Sequence, residues 1–274
     1  MELGIFARTY HRDTLDGVLD AVVADGFSTV QFNMSCVGLE SMPSKIDDQT
    51  VADICKSIQN HNLHICALSA SFNMIHPDLD ECRRGIQRFK VLASSARSIG
   101  TDLLTLCTGT RNPESMWEHH PDNATREAWS DLVDRLLQWI SIAEEYDLRL
   151  GIEPEINNVI NNPQTARRLL DEMQSPRLVI VMDPANIFQF QDLPKMDAIL
   201  TQSFELLEPY ITLAHCKDVS DTDPPSYGAA GTGVLNYALY IKLLRQIDYQ
   251  GPLLLHSLSE EQVPVSVEYV SSFL

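Results

Sequence analysis

The sequence predicts an α/β fold of the (β/α)8 TIM barrel type, with residues 1–274 forming one domain. Short apolar runs alternate with longer amphipathic stretches eight times along the chain, which indicates repeated strand–helix units. Two runs, LVIVM at 178–182 and PLLLH at 252–256, are almost continuously apolar, as expected of parallel strands covered on both faces. An open doubly wound sheet is the alternative, but no glycine-rich phosphate-binding motif follows the first strand.

Each strand is predicted from a short apolar run, and each helix from the amphipathic stretch after it. The predicted strands are 3–7, 29–32, 64–68, 102–107, 149–153, 178–182, 211–215 and 252–256. The predicted helices are 14–25, 51–59, 80–99, 124–146, one that starts near 163, 195–206, 237–246 and 264–273. Asp13 is predicted to cap the first helix and Gly26 to end it.

The formal net charge of −18 makes nucleic acid an unfavourable partner, because the surface repels phosphodiester backbones. No apolar run is long enough for a membrane helix, and the first residues lack the pattern of a secretory signal. The six cysteines are scattered, with no CxxC pair, which favours reduced thiols. We therefore expect a cytoplasmic protein that binds neither nucleic acid nor membrane.

Ionisable and amide side chains follow four consecutive predicted strands directly. They are Glu153 and Glu155, Asp183 and Asn186, His215 and Lys217, and His256. In a barrel these strand ends meet at one mouth, where catalytic groups lie. Two carboxylates and two imidazoles suit Mn²⁺, Zn²⁺, Co²⁺ or Fe²⁺ better than Mg²⁺ or Ca²⁺. We expect one divalent ion held by Glu153, Asp183, His215 and His256, although each residue alone is also typical of a loop cap.

Further polar residues are predicted on the same rim. His76 lies in the loop after strand three and is expected either to reach a substrate hydroxyl or to be a plain turn residue. Arg8 at the end of strand one and Gln31 and Asn33 at strand two are expected to bind a polyol or its phosphate. Asn186, just beyond strand six, is also expected to bind the substrate. Lys217 shares the strand face of His215, and it is predicted either to stabilise an oxyanion or to pair with Asp183 or Asp218.

The motifs GIEPE, VMDPAN and AHCKD, together with the GTG loop before the last strand, resemble the xylose isomerase-like barrels. More narrowly, the whole chain resembles the sugar phosphate isomerase/epimerase group. The resemblance implies metal ligands at Glu153, Asp183 and His215, and it implies that the chain can form a homo-oligomer. The family's fourth ligand is usually a glutamate, whereas this chain has His256.

The resemblance implies a metal-dependent isomerase or epimerase that converts a keto-sugar or sugar phosphate through a metal-bound enediolate. We favour Mn²⁺, with Zn²⁺ or Co²⁺ as alternatives. Glu153 or Glu155 is expected to remove the proton α to the carbonyl, and His256 or Glu155 to return it. Lys217 and His76 are expected to stabilise charge on oxygen.

Because His256 replaces the usual second glutamate, a two-glutamate proton exchange cannot be assumed. The site then also suits a lyase, either a dehydratase or a decarboxylase, that acts on a related substrate. A sugar-binding barrel without catalysis is the non-enzymatic alternative. Phosphodiester hydrolysis, as in the related apurinic endonucleases, is disfavoured by the few candidate histidines and by the charge of −18.

Overall fold

Eight parallel strands close into a barrel in the computed structural model, which describes residues 1–274. The barrel strands are β1 Leu3–Phe6, β2 Thr29–Phe32, β3 His64–Ser69, β4 Leu103–Leu106, β5 Arg149–Ile152, β6 Leu178–Met182, β7 Ile211–Cys216 and β10 Leu253–Leu255. Strands β8 Asp218–Val219 and β9 Tyr227–Gly228 form a separate two-stranded sheet. The barrel strands are hydrogen-bonded in the order β1-β10-β7-β6-β5-β4-β3-β2. This closed order confirms the predicted barrel and rules out the open sheet.

One helix follows each barrel strand and covers the outside of the barrel. The helices are α1 Leu15–Ala24, α2 Asp48–Asn60, α3 Leu79–Ile99, α4 Arg126–Glu145, α5 Pro163–Met173, α6 Met196–Leu207, α7 Tyr237–Gln246 and α8 Val263–Ser271. Between strands and helices lies an apolar core of 67 buried residues. Within it, the rings of Phe89 and Trp139 stack with their centroids 4.0 Å apart. No helix of the structure combines the length and the apolarity needed to cross a membrane.

Some boundaries differ from the sequence predictions for local reasons. Thr14, and not Asp13, caps α1, because its side chain accepts a hydrogen bond from the Gly17 amide. Helix α2 starts three residues earlier than predicted, since Asp47 caps it through the Thr50 amide. An antiparallel hairpin, β8 Asp218–Val219 with β9 Tyr227–Gly228, was not predicted.

Two layers of side chains fill the interior of the barrel towards its carboxyl end. The lower layer is a separate apolar cluster: Phe6, Ala67, Leu103, Val181, Leu213 and Leu254. Successive side chains of a strand alternate between its faces, so the residue two positions further on also faces inward. Those positions hold the buried polar residues Ser69, Thr105, Asp183, His215 and His256, together with the exposed Arg8. The strand period therefore places a polar layer directly above an apolar one.

Gly151 keeps β5 close to its neighbours in this lower layer. A Cβ atom at Gly151 would lie 2.7 Å from Cγ2 of Val181 and 3.3 Å from Cδ1 of Leu103. Both side chains are buried, so they have little room to move. Glu153 follows two residues later, so this close packing also sets the height of that carboxylate in the barrel.

We expect Gly151→Ala to lower the free energy of unfolding by about 1–3 kcal/mol, because it overpacks the lower layer. Val181→Ala removes the contacted methyl group, so the double variant should lose less stability than the sum of the single variants. Urea unfolding followed by circular dichroism measures all three. Strictly additive losses would contradict the proposed contact.

Candidate active site

The structure brings the four predicted metal ligands together at the carboxyl end of the barrel. Glu153 follows β5, Asp183 follows β6, His215 lies in β7 and His256 follows β10. One donor atom from each residue lies within 4.8 Å of the donor atoms of the other three. The side chains of Asp183 and His215 have no solvent exposure, and that of Glu153 is 15% exposed. The four residues therefore form one buried donor cluster.

His215 has one ring nitrogen that is bonded and one that is not. Its Nε2 lies 3.1 Å from Oε1 of Gln31. Its Nδ1 is the one buried side-chain nitrogen or oxygen atom without a hydrogen-bond partner. That atom faces Oε1 of Glu153 at 3.6 Å and Oδ2 of Asp183 at 3.7 Å. A buried imidazole nitrogen between two carboxylates fits a divalent cation, which would accept all three as ligands.

Asp183 is the most heavily contacted of the four residues. Its Oδ2 lies 2.8 Å from Nε2 of His256 and 3.3 Å from the Lys217 ammonium, while its Oδ1 accepts a hydrogen bond from the Ala185 amide at 3.0 Å. Burial opposes ionisation of this carboxyl, but Lys217 and the two imidazoles hold its pKa well below the usual range. Asp183 is therefore a carboxylate at neutral pH.

The two imidazoles of the cluster differ in electrostatic environment. Burial opposes charging of His215, yet the carboxylates of Glu153 and Asp183 raise its pKa to about 9. Burial lowers the pKa of His256 to about 4, even though Asp183 favours its charged form. The His256 ring stacks on Phe6 with the centroids 4.7 Å apart. The two carboxylates thus favour a positive charge at His215, whereas burial keeps His256 neutral.

Lys217 and Asn186 link the donor cluster to the cavity. The Lys217 ammonium donates to Oδ1 of Asn186 and lies 4.4 Å from the centre of the Tyr227 ring in the hairpin. The Asn186 amide donates to Oε1 of Glu153 at 2.6 Å. Of the two partners suggested by the sequence, Lys217 pairs with Asp183. Asp218 instead accepts hydrogen bonds from the backbone amides of Val219, Gly231 and Leu235.

Glu155 lies on the cavity wall beside the cluster. It is 6% exposed, and burial raises the pKa of its carboxyl to about 7. Its Oε2 accepts hydrogen bonds from the Asn157 amide at 3.0 Å and from the side chain of Asn158 at 2.9 Å. A carboxyl group with that pKa can accept or release a proton near neutral pH.

The cluster opens into a cavity of about 500 Å³. Its lining outside the donor cluster includes Arg8, Asn33, Trp117 and Tyr227. The Arg8 guanidinium lies 5.8 Å from the centre of the Phe6 ring. Oδ1 of Asn33 accepts from the Ser35 amide and the Ser41 hydroxyl. Polar groups of varied type therefore surround a space large enough for a small sugar.

Two residues predicted to contact substrate have other partners in the structure. His76 does not line the cavity, because its Nε2 donates to the Pro113 carbonyl at 3.1 Å and its Nδ1 accepts from the Asp78 amide. The expectation that it acts on substrate was wrong, and it is the turn residue of the alternative. Gln31 lines the cavity, but its amide is bonded to Ser69, Thr105 and His215.

The rim loop, residues 107–125 between β4 and α4, is long and polar and was expected near the site, but none of its residues was predicted as a site residue. Its Met116 and Trp117 line the cavity. Asn158, which is fully buried, donates to the Met116 carbonyl at 3.1 Å and accepts from the Gly109 amide at 2.7 Å. Asn157 donates to the Trp117 carbonyl at 3.0 Å. The adjacent asparagines in IEPEINN were the available sequence signal, but their partners lie about 40 residues earlier in the chain.

Comparisons with known proteins agree with this architecture. The model of a family described as xylose isomerase-like TIM barrel matches residues 19–271. Among curated proteins, none matches the sequence. Three solved structures of similar fold are 3-keto-D-glucoside 4-epimerase YcjR from E. coli, D-allulose 3-epimerase from Methylomonas sp. in complex with D-allulose, and an IOLI protein with a bound zinc atom.

The three similar structures share little sequence with this chain. The first has a TM-score of 0.77 at 12% identity, and 99% of each chain is covered. The second has a TM-score of 0.71 at 16% identity, covering 98% of this chain and 89% of that chain. The third has a TM-score of 0.70 at 16% identity, covering 100% of this chain and 99% of that chain. At such identities the likeness establishes a shared fold.

We expect Asn158→Ala to loosen the rim loop, since it removes the amide that holds Gly109 and Met116. Hydrogen–deuterium exchange measured by mass spectrometry should become faster in peptides covering residues 107–118. Asn161→Ala is the matched control, because its side-chain oxygen accepts only from the neighbouring Asn162. Equal exchange in wild type and Asn158→Ala would show that other contacts hold the loop.

Proposed function

The chain belongs to the xylose isomerase-like TIM barrel family, and we propose that it is a metal-dependent isomerase or epimerase of a keto-sugar or sugar phosphate. The observation that carries the proposal is the convergence of four donors around the unpaired Nδ1 of His215. These groups lie at the carboxyl ends of the strands, where enzymes of this fold have their active sites. The sugar bound in the similar D-allulose 3-epimerase structure supports a sugar as the ligand class.

Glu153, Asp183, His215 and His256 are the proposed ligands of one divalent cation. Mn²⁺ is the preferred ion, and Zn²⁺ and Co²⁺ also suit mixed oxygen and nitrogen donors. When bound, such an ion polarises a substrate carbonyl and makes the neighbouring C–H more acidic. The zinc atom in the similar IOLI structure supports a metal at this type of site.

Glu155 is the proposed general base. It lines the cavity, and burial gives it a pKa of about 7, which suits proton transfer at neutral pH. Glu153 is proposed to hold the metal instead, since it lies beside His215 and accepts from Asn186. Proton removal from the carbon next to the carbonyl leaves an enediolate.

Lys217 is proposed to stabilise the negative charge that develops on the substrate oxygen. Its ammonium lies at the cavity wall, held between Asp183 and the oxygen of Asn186. Arg8 and Asn33 are proposed to bind more distant substrate groups, because both line the cavity outside the metal cluster. A hydroxyl or a phosphate can pair with the Arg8 guanidinium.

His256 offers no effective second base. Its Nε2 is 2.8 Å from Asp183, and its pKa is about 4, so it is a poor acceptor for a carbon-bound proton. Inversion at one carbon needs proton transfer on both faces of the enediolate. Transfer of a proton between adjacent carbons on one face needs a single base, and Glu155 can provide it. Isomerisation is therefore favoured over epimerisation.

We expect the wild-type protein to bind one equivalent of Mn²⁺, and we expect His215→Ala to weaken that binding by more than about 100-fold, beyond the usual effect of an outer-shell partner. His119→Ala is the control, because His119 is exposed in the rim loop and should not change the affinity. Isothermal titration calorimetry measures both affinity and stoichiometry. Equal Mn²⁺ affinity in His215→Ala and wild type would exclude the proposed ligand set.

We expect Glu155→Gln to lower kcat/KM by about 10²–10⁴-fold, the usual contribution of a general base, while its Mn²⁺ affinity stays unchanged. A panel of aldoses, ketoses and their phosphates is incubated with the Mn²⁺ form in D₂O, and deuterium incorporation is followed by NMR. Glu118→Gln is the control, because Glu118 is an exposed glutamate of the rim loop, and this variant should retain activity.

The products of the same panel separate the alternatives. An aldose–ketose pair with deuterium at the accepting carbon supports the proposal. A product inverted at one carbon would show that a second base operates, and an ultraviolet-absorbing enone would identify a lyase. If sugars bind without any exchange or conversion, the chain is a sugar-binding barrel.

A further inference from the structure

We propose that Gln31 is a positioning residue for the metal centre, holding His215 in the tautomer that presents Nδ1 to the cation. This inference rests on the proposed metal ligands. It replaces the expectation that Gln31 binds substrate.

The contact between Gln31 and His215 crosses the interior of the barrel. Gln31 lies in β2 and His215 in β7, and strands β1 and β10 separate them in the barrel order. Both side chains are buried, with Gln31 3% exposed and His215 fully enclosed. Oε1 of Gln31 and Nε2 of His215 are 3.1 Å apart. This hydrogen bond between non-neighbouring strands holds the imidazole through Nε2, the ring nitrogen on the side away from the carboxylates.

The Gln31 amide is oriented with its nitrogen towards two hydroxyl groups and its oxygen towards His215. Its Nε2 donates to the Ser69 hydroxyl at 2.9 Å and to the Thr105 hydroxyl at 3.1 Å. Both amide hydrogens are therefore used, and the amide oxygen is the atom left to face His215. An amide oxygen only accepts hydrogen bonds, so Nε2 of His215 must carry the hydrogen.

The tautomer decides what His215 offers to the carboxylates. A neutral imidazole carries one N–H, so hydrogen on Nε2 leaves a lone pair on Nδ1. That lone pair faces Glu153 and Asp183, so a metal ion bound between them would have all three groups as ligands. If the amide were reversed, Nδ1 would carry the hydrogen and could not bind a metal. Hydrogen bonds to the second nitrogen of a metal-bound histidine commonly orient such ligands.

A purely structural network does not account for the arrangement. A buried polar atom without a partner costs about 1–3 kcal/mol, and Nδ1 of His215 is such an atom. The second imidazole, His256, has a different partner, since its Nε2 lies 2.8 Å from the Asp183 carboxylate and its Nδ1 faces the Ser257 hydroxyl at 3.2 Å. Gln31 is therefore the group that selects the tautomer of His215.

Two substitutions at position 31 separate hydrogen bonding from packing. Gln31→Met keeps the size but removes the acceptor, and we expect it to weaken Mn²⁺ binding by about 10–100-fold. Gln31→Glu keeps an acceptor for His215, while its second oxygen accepts from the Ser69 and Thr105 hydroxyls, so its affinity should stay within a few-fold of wild type. Thermal unfolding of the three metal-free proteins shows whether each variant folds.

A spectroscopic readout tests the tautomer itself. In ¹⁵N-histidine-labelled wild-type protein loaded with Zn²⁺, we expect a slowly exchanging hydrogen on Nε2 of His215 and none on Nδ1. The signal should persist in Gln31→Glu and be lost to exchange in Gln31→Met. The signal should be absent from His215→Ala, which assigns it to His215.

The outcomes distinguish this inference from the proposed function. If wild type binds Mn²⁺ but Gln31→Met binds it equally well, Gln31 does not position His215, while the metal centre stands. Equal loss of affinity in both Gln31 variants would indicate a packing role and also overturn the inference. A wild-type protein that binds no Mn²⁺ or Zn²⁺ would overturn the metal centre and this inference together.

Discussion

The buried charge of Asp183 is the constraint around which the site is built. A carboxylate with no solvent exposure is stable only if cations and hydrogen-bond donors replace water. Lys217, His256 and the Ala185 amide provide part of that replacement. Glu153 adds a second carboxylate, 3.6 Å from Nδ1 of His215. The two carboxylates together favour a positive charge at this point of the barrel, and they raise the pKa of His215 to about 9.

The alternation of side chains along each strand places these charged groups in the barrel. Each apolar residue of the lower layer is followed two positions later by a residue of the polar layer, as in Val181 and Asp183 or Leu213 and His215. The apolar layer closes the floor of the site and keeps water away from it. One hydroxyl group of α7 holds two strands from outside the barrel, because the Tyr240 hydroxyl is hydrogen-bonded to the carbonyl oxygens of Met182 and His215. Helix α7 therefore helps to hold Asp183 and His215 of the donor cluster in place.

The sequence predicted the barrel and the meeting of the four strand-end residues, because both follow from strand order and alternation. Contacts that depend on loop conformation were not predictable in this way. His76 follows a strand in the sequence, yet its loop turns both ring nitrogens towards backbone groups. Gln31 was placed correctly on the rim, but its partner His215 is 184 residues away. No local pattern encodes which cross-barrel pair forms, because that depends on the diameter of the barrel and on side-chain reach.

Asn158 couples the rim loop to Glu155, the proposed general base. One amide group of this buried residue donates both to the Met116 carbonyl of the rim loop and to the Glu155 carboxylate. Any ligand that shifts the loop therefore changes the hydrogen bonding of the carboxylate, and protonation of the carboxylate changes the anchoring of the loop. Thermodynamic linkage makes the two effects equal in free energy. The position of the rim loop and the proton affinity of Glu155 are therefore coupled through Asn158.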